Sequence, residues 1–214
     1  MNKKTVIVIP AKNEYVNLLK LLPKINYYKF NIIIVNDGSN DKTTTLKYKI
    51  KNLKLINLNS SIGYDNAVKL GLLEAKKKYK FAITIDSDFE HNPKYLKFFM
   101  KYFKKNFYLI IGERDRKNRF IEIIFGYYFK KKFNLNDIFC GFRGIKLDML
   151  KKNHLKRRNM SLPEIIFYIH EKHRKTKNIK IKSKARIGKS KFGNSFFGNL
   201  KLFYQILAIF LRKT

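Results

Sequence analysis

Residues 81–90 read Phe-Ala-Ile-Thr-Ile-Asp-Ser-Asp-Phe-Glu. An apolar run stops at two carboxylates, Asp86 and Asp88, with a third, Glu90, two positions further on. Phe81 to Ile85 predict a buried strand, with Ile83 and Ile85 β-branched. Side chains alternate along extended chain, so this reading turns Asp86 and Asp88 the same way. Two hard oxygen ligands at a strand's carboxyl end suit Mg²⁺ or Mn²⁺, which complete their shell with water and substrate phosphate. The same residues would also serve as a helix-capping turn ahead of Pro93. The acidic pair alone does not decide between the two.

The elements that must position this pair follow from the apolar pattern. Thr5–Ile9, Asn31–Val35, Leu53–Asn57 and Phe81–Ile85 predict strands. Helices are expected near Glu14–Leu22, Asp41–Ile50 and Tyr64–Lys77, the last with an apolar face of Ala67, Val68, Leu70, Gly71, Leu72 and Ala75. Alternating β and α units imply an α/β fold with a mainly parallel central sheet flanked by helices, whose ligands bind beyond the carboxyl ends of the strands. Three polar loops fall at such ends: Pro10-Ala-Lys-Asn-Glu14, Asn36-Asp-Gly-Ser-Asn-Asp41 and Asp86-Ser-Asp88. The second half is less regular. It predicts helices at Pro93–Lys104, Arg119–Phe133, Leu162–His173 and Ser195–Arg212, and strands at Phe107–Gly112, Ile138–Ile145 and Ile179–Ser183.

At 214 residues, with 45% hydrophobic and 15% aromatic side chains, the chain suits one well-buried domain. Residues 1–115 read as one half of it, 116–194 as a second half with a different function, and 195–214 as an amphipathic C-terminal helix. Cys140 is the single cysteine, which excludes an internal disulfide and fits a reducing compartment. No signal-peptide core and no apolar run of about 18 residues is present, so no spanning helix is expected. The net charge of +33 invites a nucleic-acid reading. However, 39 lysines against 9 arginines, spread along the whole chain, read as solvated surface. What remains is attraction to anionic lipid headgroups, worth about 1 kcal/mol per cation near the surface.

Taken singly, each loop is ambiguous. Asp37 could accept hydrogen bonds from a base or ribose, or sit in a plain strand-to-helix turn with Asp41 as N-cap. Taken in order, Val8-Ile-Pro-Ala-Lys-Asn-Glu14, Val35-Asn-Asp-Gly-Ser-Asn-Asp-Lys-Thr43, Gly63-x₃-Ala67-x₃-Gly71-x₃-Ala75 and Asp86-Ser-Asp88 resemble family-two glycosyltransferases. These enzymes have the nucleotide-diphospho-sugar transferase (GT-A type) fold. Ile111-Gly-Glu-Arg114, Cys140-Gly-Phe-Arg143 and Gly188-Lys-Ser-Lys-Phe-Gly193 look like the dolichol-phosphate mannose synthase and polyprenyl-phosphate glycosyltransferase group.

The resemblance implies that Pro10, Ala11, Asn13, Glu14 and Asp37 line a nucleotide pocket. It further implies that Asp86 and Asp88, with Glu90, hold Mg²⁺ or Mn²⁺ on the donor diphosphate. Arg114, Arg143, Arg186, Ser190 and Lys191 would gather around donor and acceptor phosphates. This sequence departs from the group at Asn36 for the commoner Asp, Glu90 for Gln, Ser61 for Asn, and in an Arg186–Gly188 spacing one residue short.

The chemistry stands without the family. A divalent metal neutralises a leaving diphosphate as a Lewis acid. A lipid phosphate acceptor is already anionic, with a second pKa of about 6, so positioning by arginines replaces a strong base. Asp137 could orient the acceptor, act as base, cap a helix or pair with Arg143. His91 could touch the metal or diphosphate, or be a loop residue. His170 and His173 read as surface, and Cys140 as a packed strand residue.

The expected activity is metal-dependent, inverting transfer of a hexose from a GDP-mannose- or UDP-glucose-type donor to polyprenyl phosphate. The enzyme would lie on the cytoplasmic face of an anionic membrane through the 195–212 helix, with a membrane-spanning partner protein to supply spans. The alternatives are transfer to a glycan or lipid-linked saccharide, a basic nucleic-acid-binding protein, and an inactive scaffold. No nucleic-acid partner is expected on the preferred reading.

Overall fold

The computed structural model describes residues 2–46, 50–116, 120–173, 175–183 and 196–211. Apolar runs become strands buried on both faces. In β1 (Thr5–Ala11) and β2 (Asn31–Asn36), Val6, Val8, Ile33 and Val35 enter one core, while Ile7, Ile9, Ile32 and Ile34 enter the other. That two-sided burial is why these strands read as continuous hydrophobic stretches rather than as alternation.

With β3 (Leu53–Asn57), β4 (Phe81–Thr84), β5 (Leu109–Arg114), β6 (Arg143–Lys146) and β7 (Thr176–Ile181), they form a seven-stranded sheet in the order β3-β2-β1-β4-β6-β5-β7. Pairings are parallel except at β6, which runs antiparallel to both neighbours. The mixed, mostly parallel sheet agrees with the sequence expectation.

Helix α1 (Tyr15–Asn26) and α3 (Leu96–Lys104) pack on one face through Leu18, Leu22, Phe99 and Phe103. The other face carries α2 (Tyr64–Lys76), α4 (Phe120–Phe133), α5 (Lys152–Lys156), α6 (Leu162–His173) and α7 (Phe196–Leu211). From β1 the chain runs outward to β2 and β3, then returns through α2 to β4 on the other side of β1. The β1/β4 boundary is therefore the switch point at which α/β sheets open a crevice. Pairing there stops at Val8 opposite Thr84, while β1 continues to Ala11.

Several expectations are corrected. The helix predicted over Asp41–Ile50 is a run of turns through residue 45, and residues 47–49 lie outside the described ones. Thr44 and Thr45 turn their hydroxyls onto the carbonyls of Asp41 and Lys42, an alternative to helix that these side chains favour. The strand expected from Ile138 begins at Arg143, because a turn closed by Cys140 N–H on the Asp137 carbonyl (3.1 Å) precedes it. The last strand lies earlier than predicted, at Thr176–Ile181. Helix α5 was not anticipated. Its exit is held by the buried Lys69 of α2, whose ammonium donates to the carbonyls of Arg157 (2.7 Å) and Met160 (2.8 Å).

Candidate active site

The loops that leave β1 and β2 are laced together. Asn13, in the left-handed region at φ 54°, donates its N–H to Ser39 Oγ (2.8 Å) and accepts from Asn40 N–H through Oδ1 (2.9 Å). Glu14 N–H reaches Thr43 Oγ1 (3.2 Å), and Tyr15 N–H reaches Asp41 Oδ2 (3.2 Å). Asp41 therefore serves the start of α1 across the crevice, not the helix expected after it. Pro10 and Ala11 are buried at the end of β1, Asn13 is exposed, and Glu14 is half-buried.

Asp37 is almost fully buried. Its Oδ1 accepts from Ile62 N–H (2.6 Å), and its Oδ2 accepts from Ser61 Oγ (2.8 Å) and Gly63 N–H (3.1 Å). It anchors the loop before α2, a role that reading it as a nucleotide ligand did not foresee. Gly38 beside it has φ 63°, and a Cβ there would lie 2.6 Å from the Ser61 nitrogen, so only glycine fits.

At the third loop β4 ends at Thr84, and Ser87–Asp88 form a turn with Phe89 at φ 64°. The expected strand alternation therefore does not reach the acidic pair. Asp88 Oδ1 accepts from Glu90 N–H (3.0 Å). The helical turn that follows is capped by Asn92, whose Oδ1 accepts from Lys94 N–H (3.0 Å), so capping does not account for Asp88. Asp86 accepts from the Tyr64 hydroxyl at Oδ1 (2.6 Å), and its Oδ2 lies 3.4 Å from His91 Nε2. Burial, then the Asp86 charge, raises the Tyr64 phenol well above its usual pKa, with Arg143 pulling the other way. Burial opposes a charged His91, but Cys140 and Asp86 outweigh it and hold the imidazole pKa well above its ordinary value.

Arg143 is 2% exposed and stands opposite Thr84 across the β4–β6 ladder. It donates to the Ile138 carbonyl (3.1 Å). Its Nε has no hydrogen-bond partner, and no carboxylate pairs with it, among the described residues. Arg114 is placed differently from the phosphate role expected of it. Its guanidinium is spent on Asp137 (2.8 and 3.0 Å) and on Glu122 of α4 (3.0 Å). Asp137 thus pairs with Arg114, not Arg143. Arg186, Ser190, Lys191 and the Gly188–Gly193 motif lie outside the described residues.

Among the described residues no three His, Cys, Asp or Glu side chains form a metal cage, and Asp86, Asp88 and Glu90 are not gathered into one. Mg²⁺ and Mn²⁺ do not need one. They are commonly held by one or two carboxylates, with water and substrate phosphates completing the shell. The hard oxygens of Asp86 and Asp88 fit that demand, and an unpaired buried guanidinium nearby suits an anion.

Tyr64 was missed by sequence reasoning. Its only signal is its place as the first residue of α2, directly after Gly63. His91 is buried at 1% exposure, in an isolated bridge to Ser183 rather than in an exposed loop. His170, expected at the surface, is also buried, with Nδ1 2.9 Å from Thr176 Oγ1.

The sheet order, the single reversed strand and the loops converging at the switch point define a nucleotide-diphospho-sugar transferase fold of the GT-A type. Glucosyl-3-phosphoglycerate synthase from Mycobacterium tuberculosis, solved with Mn²⁺, UDP and glucosyl-3-phosphoglycerate, superposes with a TM-score of 0.74 at 11% identity over 97% of this chain and 80% of that one. The model of glycosyl transferase family 2 matches residues 6–213. The chain belongs to that family and is a glycosyltransferase using a nucleotide-sugar donor.

An uncharacterized protein of Methanocaldococcus jannaschii is 32% identical over 68% of this chain and 73% of its own length. A dolichyl-phosphate β-glucosyltransferase of Trichomonas vaginalis is 32% identical over 53% of this chain and 41% of that enzyme. Its counterpart from Dictyostelium discoideum is 30% identical over 38% of this chain and 30% of that enzyme. This chain therefore spans less than half of either dolichyl-phosphate enzyme.

Proposed function

We propose that this glycosyltransferase moves a hexose from a GDP-mannose- or UDP-glucose-type donor onto a polyprenyl phosphate, with inversion. The observation that carries the reading is Arg143, a buried guanidinium with an unsatisfied Nε beside the Asp86 loop. A buried cation without a carboxylate is costly, and a phosphate monoester supplies the missing charge and acceptors. The dolichyl-phosphate glucosyltransferases among the relatives support the same class of acceptor.

On this reading residues 1–115 form the donor half of one domain and 116–194 the acceptor half. The β1 and β2 loops, with Pro10, Ala11, Asn13 and Glu14, line the nucleotide pocket, and Asp37 holds its floor in place. Asp86 and Asp88, joined by Glu90, hold Mg²⁺ or Mn²⁺. When bound, the ion neutralises the leaving diphosphate. Arg143 grips the acceptor phosphate and aligns one of its oxygens for in-line displacement. That oxygen is already ionised near neutral pH, its second pKa being about 6, so the chain needs to supply no strong base. Asp137, committed to Arg114, braces the wall instead. Arg186, Ser190 and Lys191 are assigned to the same phosphate by the family resemblance.

A membrane-borne acceptor also suits the outer surface. No helix among the described residues is long and apolar enough to cross a membrane. Yet α7 exposes Leu200, Phe203, Tyr204, Leu207 and Leu211 along one stripe, and α4, packed against it through Phe125 and Phe203, exposes Ile123, Ile124 and Tyr127. Lys130, Lys131 and Lys132 close α4. Apolar side chains with flanking lysines fit peripheral binding to the anionic cytoplasmic face, with or without a membrane-spanning partner.

The test is transfer of radiolabelled sugar from a nucleotide-sugar panel to polyprenyl phosphate in detergent with Mg²⁺ or Mn²⁺. Glycan oligosaccharides and phosphoglycerate serve as competing acceptors. Lipid-linked product that disappears in Arg143→Met supports the reading. Transfer confined to another acceptor, or salt-sensitive nucleic-acid binding without transfer, overturns it.

A further inference from the structure

Asp86 meets a polar side chain at each of its oxygens, from two separate elements. Tyr64, from α2, donates its hydroxyl to Oδ1 at 2.6 Å. His91, beyond the acidic turn, places Nε2 3.4 Å from Oδ2. The backbone of Gly141 closes the third side, since a Cβ there would lie 2.2 Å from Oδ2.

The His91 ring stacks on Phe142 with centroids 5.5 Å apart and planes 23° apart. Its backbone bridges to Ser183, and its Nδ1 is buried without a hydrogen-bond partner among the described residues. A buried imidazole nitrogen without a partner is costly, which leaves the contacts of the other nitrogen to offset it. That other nitrogen, Nε2, has two neighbours: the Asp86 carboxylate, and Cys140 Sγ at 3.9 Å. Nε2 is hydrogen-bonded to the Cys140 thiol, and the nearer Asp86 carboxylate is its ion-pair partner when the ring is protonated.

We propose that Tyr64 and His91 are positioning residues that fix the Asp86 carboxylate for the metal-bound donor diphosphate. A lone aspartate on a turn samples several side-chain rotamers, and ordering it on binding costs affinity. A hydroxyl donating to one oxygen and an imidazole beside the other restrict both torsions in advance. Supporting hydrogen bonds of this kind commonly change metal affinity by about 10- to 100-fold. The inference rests on the reading of Asp86 as a metal ligand given above, and the experiment separates the two.

Mn²⁺ binding is measured by the loss of free-ion electron paramagnetic resonance signal, with UDP and in parallel GDP, on the full chain. The variants are Asp86→Ala, Tyr64→Phe, His91→Leu and His91→Gln. Thermal melting in EDTA reports whether each folds. Tyr64→Phe and His91→Leu are expected to weaken Mn²⁺ binding about tenfold. They should also raise the KM for Mn²⁺ more than they lower kcat at saturating metal. His91→Gln, which keeps a side-chain N–H, is expected to recover part of the loss.

If both single variants bind Mn²⁺ like the unmodified chain while Asp86→Ala does not, the positioning role falls and the metal site stands. If Asp86→Ala also binds normally, or the unmodified chain binds no Mn²⁺ with either nucleotide, both fall. Tyr64→Phe removes one hydroxyl only, so it decides the matter even if His91→Leu does not fold.

Discussion

The carboxylate of Asp86 fills the space that a side chain on residue 141 would need. A Cβ at Gly141 would lie 2.2 Å from Oδ2 and 2.5 Å from Oδ1. The acidic loop and the loop before β6 are therefore fitted to each other at atomic contact, and Thr84 ties them by donating its hydroxyl to the Gly141 carbonyl at 2.6 Å.

The three atoms nearest to a methyl group at Gly141 all belong to Asp86, so it is expected to push that carboxylate away from Tyr64 and His91 rather than to open the core. Gly141→Ala should retain the far-ultraviolet circular dichroism and cooperative melting of the unmodified chain. Its sugar transfer should fall by about 10- to 100-fold, the loss seen when a metal ligand's supports are disturbed. Full transfer by this variant would show that Asp86 has room to shift without consequence.

Replacing Arg143 separates charge from geometry. Arg143→Lys keeps a cation but loses the planar fork, and Arg143→Met loses both. A hydrogen bond to a charged group contributes about 1.5–3 kcal/mol, so Arg143→Lys should lower kcat/KM for the phosphate acceptor by about 10- to 100-fold. Arg143→Met should cost more. Donor binding, followed by calorimetry with the nucleotide diphosphate, should move little in Arg143→Lys. An equal loss of donor affinity would place this residue in the donor site.

Asp137 makes a different kind of claim. Its carboxylate neutralises the buried Arg114, which also holds Glu122. Breaking a buried pair from one side leaves an uncompensated charge and costs about 3–5 kcal/mol. Asp137→Asn should therefore shift the urea midpoint markedly downward. Glu122→Gln should cost less, since Asp137 still faces the guanidinium. A variant Asp137→Asn that is as stable as the parent but inactive would restore the general-base reading.

Lys69 provides a test away from the chemistry. Its ammonium is buried and donates to the carbonyls of Arg157 and Met160. Lys69→Met keeps the length and apolar stem but leaves those acceptors unmet, at about 1–3 kcal/mol. Hydrogen exchange should accelerate around residues 152–160 before it does in the β1–β2 core.

Much of the fold was legible because burial on both faces writes itself as unbroken apolar runs, as in Val6–Ile9 and Ile32–Val35. The acidic pair stood out as charge at the end of such a run, where a capping turn was the competing reading, and Arg143 was picked out through the family resemblance. The failures have a common cause. The helix expected from Asp41 is lost to hydrogen bonds made by Asp41 and by the threonine hydroxyls, which compete with helical ones at no cost in hydrophobic pattern. Asp37 looked available because its partners, Ser61 to Gly63, belong to a loop whose approach no local pattern records. Tyr64 stayed hidden because its hydroxyl meets Asp86 only after α2 is laid beside β4. The Arg114–Asp137 pairing likewise depends on how the chain between α4 and β6 wraps.

The reversal of β6 has a consequence for how this crevice can change. Where all strands run one way, every segment reaching the crevice is an exit, and its length is tied to the helix it must begin. Residues 137–142 are instead an entrance, chain on its way into a strand, and they bring Gly141 and Arg143 to the edge where β1, β2 and β4 depart. That stretch is bound by no crossover geometry. Its freedom is limited to positions that do not key it to its neighbours, since Asp137 holds Arg114 and Gly141 abuts Asp86. The crevice thereby joins two kinds of segment constrained in different ways, the exits by the helices they begin and the entrance by its side-chain contacts.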